Sequence, residues 1–144
     1  MSKKPALPEA SWHGCFYANP ANGNMLDLIF VYGTLRRGGV NHHLLAEAAL
    51  CGAHATPSRY RMLNLGAYPG VVEGGSTAII GEVYRVTRKQ FADLDRLEDW
   101  PTLYNRKLID SPWGKAWIYL YRGNRRNRAV IPGGDWSRIG RRSG

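Results

Sequence analysis

Acidic residues are scarce. Eleven of them face twenty basic ones, leaving a net charge of +9 in a chain of 144 residues. The deficit is local: between Arg106 and Gly144 only Asp110 and Asp135 offset a run that includes Arg122, Arg125, Arg126, Arg128, Arg138, Arg141 and Arg142. A stretch of that sign attracts anions, whether nucleic acid or acidic small molecules. Cysteine is scarcer still. Cys15 and Cys51 are too few for a disulfide framework or a structural zinc site, and a reducing compartment is the simpler assumption. Nothing approaches the ~18 uninterrupted apolar residues of a membrane span. Lys3 and Lys4 are not followed by the apolar core of a signal peptide. The expectation is a cytoplasmic protein with no membrane contact.

With 44% hydrophobic and 22% charged residues, the chain reads as one globular domain able to bury a core. Residues 1–24 are rich in Pro, Asn and Gly without periodicity and read as an N-terminal extension. The domain follows over residues 25–138, and 139–144 form a basic tail. Leu26 to Tyr32 is a nearly continuous apolar run, which predicts a strand buried on both faces. Asn41 to Cys51 predicts a helix capped by Asn41, stopped by Gly52, with Leu44, Leu45, Ala48 and Cys51 as its buried stripe. Ala53 to Leu65 reads as extended, Gly66 to Gly70 as a turn, and Thr77 to Val86 as a strand. Thr87-Arg88-Lys89-Gln90 has the pattern of a capping box and predicts a helix running to about Glu98, with Phe91, Leu94 and Leu97 inward. Leu103 to Ile109 and Lys115 to Tyr121 predict a hairpin. The order β-α-β-β-α-β-β predicts an α+β domain: a small mixed, largely antiparallel, barrel-like sheet flanked by helices.

Three segments carry chemistry. The first is Val31-Tyr32-Gly33-Thr34-Leu35-Arg36-Arg37-Gly38 with Asn41-His42 after it. The second is Gly81-Glu82-Val83-Tyr84. The third is Leu94-Asp95-Arg96-Leu97-Glu98, followed by Pro101, Leu103-Tyr104 and Arg106. In this order and at these spacings, the chain from about Leu28 to Trp136 resembles the gamma-glutamyl cyclotransferase-like family. The likeness is to its small bacterial members and to gamma-glutamylamine cyclotransferase. The resemblance implies a reaction without a cofactor, in which the α-amine of a gamma-glutamyl substrate attacks its own gamma-carbonyl. Ring closure gives 5-oxoproline and frees an amine or amino acid. It places Glu98 as the general acid/base and the backbone of Tyr32, Gly33, Thr34 and Leu35 as the cradle for the gamma-glutamyl group.

The chemistry accounts for those residue types. Intramolecular attack removes much of the entropic barrier. One carboxylate can take a proton from the attacking amine and return it to the leaving one, best with a pKa lifted toward neutrality by apolar surroundings. Glu82 is the rival carboxylate, with an ion pair to a nearby arginine as its alternative. Tyr104 and Arg106 alternate on one strand face and either border the substrate or pack and pair. Gly33 to Gly38 lacks the Lys-Ser/Thr of a phosphate-binding loop. His42-His43 and the lone Cys51/His54 pair lack metal-ligand spacing, so no metal is expected. The alternative function is a catalytically idle member of the fold. It would bind a metabolite, or RNA through the arginine run and the neighbouring Trp117, Tyr119 and Tyr121.

Overall fold

The computed structural model describes residues 26–137, so the extension over 1–24 and the basic tail lie outside the described residues. In chain order the elements are β1 (Leu26–Val31), a 3-10 turn (His42–Leu45), β2 (Ala49–Ala55), β3 (Tyr60–Asn64), β4 (Pro69–Glu73) and β5 (Ile80–Thr87). Then follow α1 (Arg88–Leu97), β6 (Tyr104–Ile109), β7 (Ala116–Tyr121) and β8 (Ala129–Val130). They build two sheets, β2-β5-β1-β7-β6 and β4-β3-β8. All pairings are antiparallel except β1 with β7. The fold is α+β and mixed, as expected, but the sheets do not close into a barrel.

β1 explains the architecture. Successive side chains of a strand point to opposite faces, and both faces of this one are covered. Leu28, Phe30 and Tyr32 join one core cluster with Met62, Val71, Val83 and Ile118. Ile29 and Val31 join the other with Leu45, Phe91, Leu94 and Tyr119. The first cluster holds the small sheet on the large one; the second holds α1 and the 3-10 turn. Ile29 and Phe30 are fully buried, each worth roughly 1.5–3 kcal/mol of removal from water.

α1 starts where the capping pattern predicts. Thr87 Oγ1 accepts from Gln90 N at 3.1 Å, and Gln90 Oε1 accepts from Thr87 N at 2.8 Å. It stops by a different device from the Trp100-Pro101 pair. Asp99 takes a left-handed φ of 55°, Trp100 N donates to Asp95 O at 2.9 Å, and Asp99 N donates to Arg96 O at 3.2 Å. This pair of reversed bonds is a Schellman stop, and it fixes Glu98 as the last residue of the helical path.

The helix expected over Asn41 to Cys51 is absent. His42–Leu45 make one 3-10 turn, and Ala49–Ala55 are an edge strand on β5. Local helix propensity in Leu-Ala-Glu-Ala-Ala loses here to pairing with β5. The register slips between Leu50 and Gly52, and a Cβ on Gly52 would lie 2.8 Å from the Trp113 ring. Gly52 is therefore a site of close packing inside a strand and not a helix stop. Asn41, expected as the cap, makes no capping bond; its Nδ2 donates to Thr34 Oγ1 at 2.9 Å.

Candidate active site

At the end of β1 the chain turns sharply. Arg36 N donates to Gly33 O at 3.0 Å and Asn41 N to Thr34 O at 2.9 Å, so residues 33–41 form a closed loop. A Cβ on Gly33 would sit 2.8 Å from the Pro69 ring; the glycine lets the turn press against the start of β4. Among the described residues nothing accepts from the backbone N–H of Thr34 or Leu35. Two donors that a fold normally satisfies are left available beside a cavity.

That cavity has a volume of about 300 Å³ and is lined by Tyr32, Gly33, Thr34 and Leu35 on one side and by Tyr68, Pro69, Glu98 and Tyr104 on others. The structure thus gathers every candidate residue except Arg106. Pro69, Tyr68 and Tyr119 were missed as cavity walls, because Pro69 and Tyr119 sit on strands, and Tyr68 in the bend before β4, whose neighbours only the sheet topology defines.

Three tyrosines form the polar wall, and each hydroxyl is already committed. Tyr32 donates to Tyr119 O at 2.8 Å and accepts from Val71 N at 3.3 Å. Tyr104 donates to Pro69 O at 2.8 Å. Tyr119 donates to Asp95 Oδ1 at 2.6 Å. Burial, and then neighbouring groups that include Glu98, push all three hydroxyls above their ordinary pKa, so they stay neutral donors.

Glu98 faces this wall without a partner: no hydrogen bond or ion pair reaches its carboxyl among the described residues. Burial alone pushes its pKa from 4.5 to about 7. A carboxyl group poised near neutrality in a largely apolar cavity is suited to both accepting and returning a proton.

Arg106 lies elsewhere. Its Nε and Nη2 donate to Asp95 at 3.2 and 3.1 Å. Its guanidinium stacks over Trp100, Phe91 and Trp117 at 4.0–4.9 Å. It fastens the last turn of α1 to β6 and β7 and is absent from the cavity lining. Asp95 is the residue the motif contained without a role. Its spacing of three from Glu98 was the available signal, since residues i and i+3 neighbour each other on a helix. Glu82 is engaged by Arg36 Nε at 3.4 Å, Arg37 N at 3.0 Å and Tyr84 Oη at 3.0 Å, the paired state weighed against catalysis. Among the described residues no group of three or more His, Cys, Asp or Glu could hold a metal, and no helix is long and apolar enough to cross a membrane.

Residues 29–138 match the family model described as gamma-glutamyl cyclotransferase, AIG2-like. The chain belongs to this family. A Vibrio cholerae relative, whose gamma-glutamylcyclotransferase name is itself provisional, is 47% identical over 112 residues, covering 78% of this chain and 96% of that one. The solution structure of the Escherichia coli protein YtfP is similar with a TM-score of 0.64 and 39% identity, over 76% of this chain and 95% of that one. An uncharacterized Pyrococcus horikoshii protein gives a TM-score of 0.71 at 27% identity, over 81% and 95%. The family match starts at Ile29 and so takes in the Tyr32–Leu35 turn, α1 with Asp95 and Glu98, and the β6-β7 hairpin.

Of the aromatics that an RNA-binding reading would display, two are buried and Trp117 is partly covered. Tyr119 and Tyr121 are buried, and Trp117 packs against Phe91 and Arg106. Base stacking needs exposed rings.

Proposed function

We propose that the protein is a gamma-glutamyl cyclotransferase that converts a gamma-glutamyl amine or amino acid to 5-oxoproline and the free amine. The observation carrying this reading is Glu98: an unpartnered carboxyl, lifted to a pKa of about 7, in a cavity that also holds the Tyr32–Leu35 turn. A cavity of about 300 Å³ suits a small folded substrate better than a polymer.

In this reading the substrate binds with its α-amine neutral and next to ionised Glu98. The amine nitrogen attacks the gamma-carbonyl carbon, the C–N bond of the five-membered ring forms, and Glu98 takes the amine proton. The carbonyl oxygen becomes an oxyanion. The free N–H groups of Thr34 and Leu35 are the available backbone donors for it or for the glutamyl carboxylate. The intermediate collapses, the bond to the departing nitrogen breaks, and Glu98 returns the proton to that nitrogen. No water is consumed and Glu98 ends as it began.

The test is 5-oxoproline release from a panel of gamma-glutamyl amino acids and gamma-glutamylamines, with wild type beside Glu98→Gln. Gln keeps the size but cannot take the proton. A loss of ~100-fold or more is expected for removing a general base. No release from any substrate, or equal release by the variant, would overturn the reading in favour of a catalytically idle binding protein.

A further inference from the structure

A second hollow, of about 520 Å³, adjoins the first. Gly33 and Thr34 line both, and the chain steps from Ala67 in the second to Tyr68 in the first. We propose that this groove is the subsite for the departing amine, and that Arg37 makes it select amines carrying a carboxylate over neutral or cationic alkylamines. The inference rests on the cyclotransferase reading above.

The geometry of the reaction assigns the groove. Attacking amine and gamma-carbonyl close into one five-membered ring, so the whole gamma-glutamyl unit must sit beside Glu98. Only the departing group varies in length, and only it can continue past the Gly33–Thr34 wall.

The groove is a built feature. Arg36 crosses beneath it, with Nε 3.4 Å from Glu82 Oε2 on β5 and Nη1 2.8 Å from Asp135 Oδ1. Asp135 also accepts from Ser137 N at 3.1 Å and Ser137 Oγ at 2.7 Å, which folds the 135–137 segment against the loop. Trp136, Val40 and Ala67 supply apolar wall.

Charge then decides the ligand. Arg36 and Arg37 are the charged residues of the lining. Arg36 is compensated by two carboxylates. Arg37 is not: its backbone N–H binds Glu82, while its exposed guanidinium has no acceptor or ion-pair partner among the described residues. A carboxylate on the departing amine would find a planar donor suited to bidentate pairing. An ammonium group there would find an uncompensated like charge.

The experiment compares kcat/KM for gamma-glutamyl-L-alanine, gamma-glutamylethylamine and mono-gamma-glutamyl-1,4-diaminobutane. The first two differ by one carboxylate, and the third carries a cation. Wild type is expected to favour the alanine substrate by roughly tenfold over the ethylamine one, the scale of a solvent-exposed charge-assisted hydrogen bond. Arg37→Gln should bring that ratio within about twofold, Arg37→Lys should retain part of it, and Arg37→Glu should turn the preference toward the diamine substrate. Unchanged thermal midpoints would separate these effects from misfolding, since the Arg37 side chain makes no bond to the described residues. A wild-type ratio near one, or a ratio unchanged by Arg37→Gln, overturns the inference while leaving the cyclotransferase reading intact. Turnover of none of the three overturns both.

Discussion

Asp95 and Glu98 leave the same helix one turn apart and meet opposite fates. Asp95 is saturated, accepting from Tyr119 Oη at 2.6 Å and from two Arg106 nitrogens at 3.1 and 3.2 Å. Glu98 accepts nothing from the described residues and is lifted to a pKa of about 7 by burial. The first carboxylate anchors the helix end to β6 and β7, and the second is thereby held unsatisfied in the cavity. One acid is spent on pairing and the other is left with a raised pKa, three residues apart.

Removing the anchor should therefore damage the fold and the site together. Asp95→Ala leaves the Tyr119 hydroxyl and a half-buried Arg106 without their acceptor, at an expected cost of about 2–4 kcal/mol. Urea denaturation of wild type, Asp95→Ala and Asp95→Asn measures it. Asn should recover part of the loss, because it still accepts from Tyr119. Destabilisation below ~1 kcal/mol would show that the aromatic sheath around Arg106 suffices.

Glu98 itself should act against stability. Its folded pKa of about 7 lies above the ordinary 4.5 that it regains on unfolding, so the unfolded chain ionises more readily. The contribution is fully present below about pH 4.5 and is lost as pH rises toward 7. The full loss is on the order of 3 kcal/mol, since each tenfold difference in proton affinity between the two states is worth ~1.4 kcal/mol. Glu98→Gln should accordingly gain stability relative to wild type at pH 8 but not at pH 4. Equal differences at both pH values would mean that the carboxyl is solvated.

The same ionisation should appear in kinetics. Under the cyclotransferase reading, kcat/KM should rise with pH through a free-enzyme ionisation near 7, with the substrate's own ammonium producing any further rise. An inflection near the ordinary carboxylate value would separate Glu98 from the proton transfer.

Gly33→Ala places a methyl group 2.8 Å from the Pro69 ring. Either the turn or the start of β4 must move, and both line the cavity. An activity loss of roughly tenfold or more is expected, because small misplacements of positioning groups are costly to catalysis, with a smaller effect on thermal midpoint than on turnover. Wild-type activity would mean that Pro69 yields without disturbing the Tyr32–Leu35 turn.

Thr87→Ala tests the part of the fold most plainly written in the sequence. It removes the bond from Gln90 N to Thr87 Oγ1 and should cost ~1 kcal/mol, read as a fall in thermal midpoint with 5-oxoproline release per folded molecule unchanged.

The sequence by itself determined the elements whose causes are local. Thr87 to Gln90 opens α1 because side chains three residues apart satisfy the helix's own first N–H groups. The unbroken apolar run of β1 implies cover on both faces wherever that cover comes from. The motifs, through the family resemblance they carry, put Glu98, the Tyr32–Leu35 turn, Tyr104 and Arg106 in one set, and all but Arg106 line the cavity. Tertiary structure alone decided the rest. Residues 49–55 became a strand because β5 offers backbone partners that outweigh helix propensity. Arg106 went to Asp95 and three aromatic rings because Asp95 and Phe91 of α1 meet the side chains of β6 and β7 in space. Glu98 acquired its pKa from burial, which depends on what surrounds a side chain in space and not on what precedes it in the chain.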